Sequence, residues 1–314
     1  MTTDIIPLGT SAAIPTRHRH LSGLALRRPE GVLLFDCGEG TQFQLIRAGV
    51  KRSRIDAVFI THLHGDHYFG LMGLLSTLVL LTRTRPVTVV GPEGIANLVR
   101  AMPGLADHAL PFPIEYVELP EGIDHAVVVE TDAYRIEARS LEHRVFSLGY
   151  RFQEKDRPGH LYPERARALG VTNYRHFRRL KAGEAVTLED GRVVEPEEVV
   201  GPPQRGSAFA YVGDTRPCEA GVMLARDVGL LYHEATFGDD LRARAVATGH
   251  STAREAAGVA RRAGARQLLL GHFSARYTDA DVLVAEARTV FPDTEAAEEL
   301  KPYVLATDGT RPGN

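Results

Sequence analysis

Cysteine is almost absent from this chain of 314 residues: Cys37 and Cys218 are its only two, far apart and in no CxxC arrangement. That excludes a zinc site built on thiolate pairs and predicts a reducing, cytoplasmic setting. Long apolar runs are missing as well. No stretch reaches the roughly 18–20 residues of a membrane span, and the first residues lack the basic-then-apolar pattern of a signal peptide, so no membrane partner is expected. Nor is there an excess of one charge. The net charge of −3 means that the average surface does not attract nucleic acid, and a polyanionic partner would need a local basic patch. What is present, 44% hydrophobic and 25% charged residues, is the composition of a globular protein with a substantial core.

The chain is organised around Thr61-His62-Leu63-His64-Gly65-Asp66-His67. A short β-rich run, Ile55 to Ile60, precedes it and reads as a buried strand; Tyr68 to Leu75 follows with the apolar density of a core helix. Three histidines and an aspartate therefore sit at the C-terminal end of a strand. Imidazole is the commonest zinc ligand, and a carboxylate suits the same borderline-soft ion. Four groups this close cannot all reach one ion without strain, so His62 and His64 fit one metal and Asp66 and His67 a second. The bland alternative is a surface loop rich in histidine, against which stand the core elements on either side.

Taken in order, strands are expected at Asp4 to Gly9, Leu21 to Leu26 and Val32 to Asp36. A helix should follow from Thr41 to Ala48 with Phe43, Ile46 and Leu45 inward. Another strand runs from Val87 to Val90, and Pro92 should open a helix where its missing N–H costs nothing. Later strands are expected at Ala208 to Val212, Val228 to Tyr232 and Gln267 to Leu270. Helices are expected from Ser251 to Ala263, capped by Ser251 or Thr252, and from Asp279 to Val290. This interleaving argues α/β layers. More candidate ligands follow strand-like runs: His143, Asp214 and His272. Read with the first cluster, Asp214 can bridge two cations while His143 and His272 each complete one coordination sphere. Histidines 108, 125, 160 and 176 sit among charged or loop residues and read as surface or arm groups, and Cys37 reads as a small buried residue.

The set HLHGDH, a lone histidine, the strand-end GDT and the late GHFSARY resembles the metallo-β-lactamase fold. Within that superfamily the chain is similar to the ribonuclease Z family of tRNA 3′-processing endonucleases. His233-Glu234-Ala235-Thr236-Phe237 and His250-Ser251-Thr252 match two further motifs of that family, and the match runs to about Asp308. One departure is His20, where the family usually carries asparagine. The resemblance implies a four-layer αββα sandwich, one domain over 1–314 with an exosite arm inserted at 154–206. It further implies two Zn2+ ions per subunit, the first held by His62, His64 and His143, the second by Asp66, His67 and His272, with Asp214 bridging. Two such ions can share a water, lower its pKa and stabilise an in-line displacement at phosphorus. Asp66 would accept the water's proton, while His250, oriented by Glu234, would serve the leaving oxygen; a structural hydrogen bond at a helix start is the other reading of that pair. The products would be a 3′-hydroxyl on the tRNA and a 5′-phosphate on the trailer.

The inserted segment supplies the missing basic patch. From Arg151 to Lys181 there are nine basic residues against three acidic, in a chain that is −3 overall. Glycines and prolines interrupt it, as expected of an arm rather than a core layer. Arg175, Arg178, Arg179 and Lys181, with Tyr162, Tyr174 and Phe177 among the cations, are the candidate contacts to precursor tRNA, whose shape would suffice for recognition. The resemblance also implies a homodimer in which one subunit's arm clamps the tRNA processed by the other. Alternatives are a general phosphodiesterase or thioester hydrolase of the same fold, which would not need the arm, and an RNA-binding module without metals, which would not need seven ligands. Manganese or iron could also occupy such N/O sites.

Overall fold

The computed structural model describes residues 3–105 and 110–305; His108 and Asp308 lie outside them. Two mixed sheets face each other. The first contains β1 (Asp4–Gly9), β2 (Gly23–Arg27), β3 (Val32–Cys37), β4 (Ile55–Phe59), β5 (Val87–Pro92) and β6 (Ile114–Leu119) in chain order, and a late strand joins beside β1. The second is built from β7 (Ala126–Glu130), β8 (Tyr134–Leu141) and β9 (Ser147–Glu154). A small hairpin, β10 (Val186–Thr187) and β11 (Val193–Val194), stands apart from both. Then β12 (Ala208–Val212), β13 (Leu230–Glu234), β14 (Leu268–Gly271) and β15 (Thr294–Ala296) complete the second sheet, and β16 (Tyr303–Val304) is the late partner of β1.

Strands β3 to β6 run parallel, as do β12 to β15. Parallel strands are covered on both faces and so carry near-continuous apolar runs, as Val32-Leu33-Leu34-Phe35 and Leu268-Leu269-Leu270 do. Between the sheets the filling is aromatic: Phe35 lies 5.1 Å from Phe59 and 5.6 Å from Phe209, and Tyr211 stacks 4.9 Å from Tyr232. The outer face of the first sheet is covered by α1 (Thr41–Arg47), α2 (Gly65–Leu80) and α3 (Ile95–Arg100). Three short helices, α4 (Pro163–Ala168), α5 (Tyr174–Lys181) and α6 (Pro196–Val199), belong to the segment between β9 and β12. The second sheet is covered by α7 (Glu219–Leu224), then α8 (Arg242–Thr248) precedes α9 (Ala253–Ala263), and α10 (Asp281–Arg288) follows β14. Helices, sheet, sheet, helices: the expected four layers are present. Helix α9 buries Ala253, Ala256, Ala257, Ala260 and Ala263, a stripe of small residues at helical spacing. Its start is fixed by a capping box between Thr252 and Glu255, worth about 0.5–2 kcal/mol.

Several local expectations are corrected. Phe43 and Ile46 point outward, 64% and 54% exposed, while Leu45 is buried. The other inward positions are polar, Thr41 and Gln44, and the Gln44 amide donates to the Leu8 carbonyl and to Glu299 Oε2, so the apolar reading of α1 chose the wrong face. Pro92 ends β5 instead of opening a helix; α3 starts three residues later, where Glu118 accepts from the Gly94 and Ala96 N–H groups. The last long helix is shorter than expected, beginning at Asp281 and ending at Arg288. Among the described residues no helix is long and apolar enough to cross a membrane.

The segment between β9 and β12 has a core of its own, with Ala166, Val171, Leu180, Val186, Val194 and Val199 buried together. Its stem closes at Arg157 and Gln204, which exchange two backbone hydrogen bonds of 2.9 Å. Phe177 packs against this small core instead of facing solvent, whereas Tyr174 is 74% exposed.

Candidate metal centre

Parallel strands end on one edge of each sheet, and their C-terminal ends carry the candidate residues. The loop after β4 bears His62, His64, Asp66 and His67, the last two already in the first turn of α2. His143 follows β8, Asp214 follows β12, Glu234 ends β13 and His272 follows β14. The structure brings all of them together. One group joins His62, His64, His143 and Asp214, a second joins Asp66, His67 and His272, and within each group the ligand atoms lie within 4.8 Å of one another.

Asp214 stands between the groups. Its Oδ2 is 3.7 Å from His62 Nε2 and 4.0 Å from His143 Nε2, while its Oδ1 is 3.4 Å from His67 Nε2 and 3.1 Å from His272 Nε2. Bonds of about 2.0–2.2 Å to a common tetrahedral centre put ligand atoms roughly 3.3–3.6 Å apart, so these spacings suit a cation on each side. Four of the atoms facing inward, His67 Nε2, His143 Nε2, His272 Nε2 and Asp214 Oδ1, are buried and have no hydrogen-bond partner. Unsatisfied buried nitrogen and oxygen atoms are costly, and here they converge, which is what a cation site requires.

The opposite edge of each ring is held in place. His67 Nδ1 donates to Asp36 at 2.7 Å, His143 Nδ1 donates to the Gly249 carbonyl at 2.8 Å, and His272 Nδ1 is 2.9 Å from Thr236 Oγ1. These contacts leave Nε2 with its lone pair toward the centre. His64 turns the other way, with Nδ1 2.9 Å from His62 Nε2. Asp36 was not singled out from the sequence beyond its place at a strand end. It also accepts from the Thr61 N–H at 2.8 Å and from Tyr211 Oη at 3.0 Å, and it adopts a left-handed φ of 57°. His272 has a left-handed φ of 55°. Such backbone strain in non-glycine residues gathers at functional sites.

The electrostatics describe a pocket short of positive charge. Burial opposes ionisation of Asp66 and Asp214, yet the surrounding imidazoles outweigh it and hold both carboxyls far below the usual range. Burial likewise opposes a charged His67, but Asp214 and Asp36 raise its imidazole well above the ordinary value. In His62 burial dominates, helped by His67, and lowers it well below. A cation would displace the proton that the carboxylates otherwise hold on His67.

Beside the two groups lies a third arrangement. Glu234 is fully buried and accepts from the Thr215 and Ser251 N–H groups at 3.1 and 3.0 Å, from Thr236 Oγ1 at 2.7 Å, and from His250 Nδ1 at 3.0 Å. Burial alone would lower the His250 imidazole, but Glu234 and Asp214 outweigh it and raise it to about 9. His64, Asp66, His143, Asp214, His250 and His272 line one cleft of about 980 Å³, open to solvent, with His62, His67 and Glu234 buried.

Of the candidate cations on α5, Arg179 is paired with Glu184 at 3.0 Å, whereas Arg175, Arg178 and Lys181 have no ion pair among the described residues. From Ala182 to Val199 the segment turns acidic, with six acidic residues against Arg192, so its positive charge is confined to the first part.

Residues 20–151 match the model of the metallo-beta-lactamase superfamily, which agrees with two mixed sheets flanked by helices and with a hydrolase's histidine–aspartate centre at their edge. Ribonuclease Z of Salinibacter ruber is 55% identical over 306 residues, covering 97% of this chain and 95% of the relative. Ribonuclease Z of Myxococcus xanthus is 49% identical over 282 residues, 90% of each chain. The crystal structure of the short form of human tRNase Z matches with a TM-score of 0.70 and 28% identity, covering 96% of this chain and 99% of that one. The chain belongs to the ribonuclease Z family.

Proposed function

We propose that this chain is a zinc-dependent endoribonuclease that removes the 3′ trailer from precursor tRNA. In this reading His62, His64 and His143 would hold one of two zinc ions per subunit and Asp66, His67 and His272 the other, and Asp214, which faces both groups, would serve each. The observation that carries it is the convergence of four buried, unpartnered ligand atoms between two histidine-rich groups, in a chain 55% identical to a ribonuclease Z. The bound cations would supply activation of a water and stabilisation of charge in the displacement at phosphorus. The residues do the rest. In this reading Asp66, which accepts from the Ala13 N–H at 2.9 Å, takes the proton of the attacking water. Glu234 holds His250 by Nδ1, leaving Nε2 to give a proton to the departing 3′ oxygen of the tRNA. The products are then a tRNA 3′-hydroxyl and a trailer 5′-phosphate.

The chain acts as a homodimer in the cytoplasm in this reading, and the segment 154–206 is an exosite arm in which Arg175, Arg178, Arg179 and Lys181 contact the tRNA backbone. Among the described residues three of these four cations lack carboxylate partners, which supports a role toward an external polyanion. Mapping the cleavage point on a 3′-extended precursor tRNA, with and without a chelator, tests the whole. Cleavage at the trailer junction that stops on chelation and returns with zinc is expected; cleavage indifferent to chelation, or none on tRNA while a simple phosphodiester is hydrolysed, would overturn it.

A further inference from the structure

One large aromatic ring on the wall of the metal cleft is used by nothing described so far. Phe69 lines the cleft and is 59% exposed. It lies three residues beyond Asp66 in α2, and residues at that spacing share a helix face, so the ring projects on the side of the metal ligand. The ring packs on its own helix. A Cβ at Gly65 would come within 2.3 Å of Phe69 Cε2, so the ring sits directly over the glycine of the ligand loop. The Tyr68 ring meets it edge-on, with centroids 4.9 Å apart at 68°. A glycine beneath and a tyrosine at its side support the ring, most of which stays open to water. Elsewhere on the same cleft stand Arg144, Arg244 and Arg276, all exposed and none paired with a carboxylate among the described residues. An uncovered ring together with free guanidinium groups is the pairing that single-stranded nucleic acid requires, since bases stack on the ring while cations follow the phosphates.

Resting on the tRNA-processing reading above, we propose that Phe69 is a substrate-binding residue that stacks an unpaired base next to the cleaved bond, with Arg144, Arg244 and Arg276 contacting the neighbouring phosphates. The chemical class of the ligand is an unstacked nucleobase of the RNA strand entering the cleft. Base–aromatic stacking tolerates any base, so this contact positions the strand without selecting its sequence.

The chain has no tryptophan, so Phe69→Trp introduces a single indole at this point, selectively excited apart from the tyrosines. Wild-type cleavage of a 3′-extended precursor tRNA at the trailer junction is scored first and tests the parent reading. The zinc-loaded Phe69→Trp enzyme is then mixed rapidly with that RNA, and with versions abasic at the last tRNA nucleotide or the first trailer nucleotide. Indole emission should be quenched on binding before turnover, and one abasic position should abolish the quench. In parallel, Phe69→Ala should raise KM for the precursor about 5- to 150-fold, with turnover at saturating RNA and metal content retained. The abasic position that costs the wild type should cost the Phe69→Ala enzyme nothing more. Equal quenching by both abasic RNAs, additive losses, or an unchanged KM would overturn the proposal. A blue shift of the indole with protein concentration alone would overturn it too, by making Phe69 a subunit contact.

Discussion

His250 Nδ1 lies 3.0 Å from Glu234 Oε1, and the same carboxylate, through Thr236 Oγ1, reaches the ring of His272. One buried acid thus orients both the proposed proton donor and a candidate metal ligand. Replacing His250 with Ala removes the donor alone. Turnover on precursor tRNA should fall by a factor of about 10²–10⁴ with metal content intact. Unchanged turnover at saturating RNA would reduce His250 to a structural residue, and loss of metal would make it a support of the centre.

Glu234→Gln should behave differently from His250→Ala. The amide can still accept from the Thr215 and Ser251 N–H groups, but it no longer supplies the charge that favours the imidazolium of His250. Fast turnover with a normal pH profile in this variant would show that the carboxylate charge is not needed.

Asp214 faces both ligand groups, His272 only one of them together with Asp66 and His67. Asp214→Ala should therefore lower occupancy of both positions, and His272→Ala mainly one. Metal per chain measured by plasma mass spectrometry separates the cases; a His272→Ala protein that retains two tightly bound zinc ions contradicts the assignment.

The two-bond stem at Arg157 and Gln204 offers a clean place to remove the basic segment. Replacing residues 158–203 with a short glycine turn should spare hydrolysis of a small phosphodiester and strongly raise KM for precursor tRNA. The slope of log affinity against log salt should flatten by about 0.7–0.9 for each phosphate that the shortened protein no longer neutralises. Wild-type KM in the shortened, zinc-loaded enzyme would exclude an RNA-clamping role.

Burial pushes the Cys37 thiol up to about 12, against roughly 8.5 in an unfolded chain. With its folded pKa raised, the group contributes stability that is complete below the unfolded pKa and is lost as pH climbs toward 12. Above pH 8.5 this thiol alone gives a slope of at most about 1.4 kcal/mol per pH unit. Urea titrations between pH 8 and 10 should show a steeper loss for the wild type than for Cys37→Ala. Equal slopes would mean that the thiol ionises in the folded protein. The native chain should also resist thiol reagents that label both cysteines in urea.

The site was legible in the sequence where chemistry follows a strand: His62 to His67, His143, Asp214 and His272 all sit where an apolar run stops. Asp36 was not, because its partners His67 and Tyr211 lie 31 and 175 residues away and its φ of 57° has no mark in the sequence. Pattern misled at α1, where Gln44 faces inward to satisfy the Leu8 carbonyl and Glu299 while Phe43 stays outside. It misled again at Pro92, where pairing with Leu119 extends β5 through a residue that usually starts a helix. The charge of the basic segment was visible, but the pairing of Arg179 with Glu184 depends on the turn after α5.

Each ligand group draws from both halves of the sandwich: His62 and His64 arrive from the first sheet to meet His143 and Asp214 from the second, and Asp66 and His67 meet His272 in the same way. A cation at such a place is a fastener across a seam. Without it, the imidazoles and carboxylates from opposite halves meet through shared protons, and the halves stay tied beside the cleft by the Tyr211 Oη to Asp36 bond and by backbone bonds from Leu148 to Thr61 and from Phe273 to Thr10. Metal starvation would then do more than silence the enzyme. It would loosen the edge that carries the cleft, so that the metal-free chain should be cut by proteases faster than the loaded one.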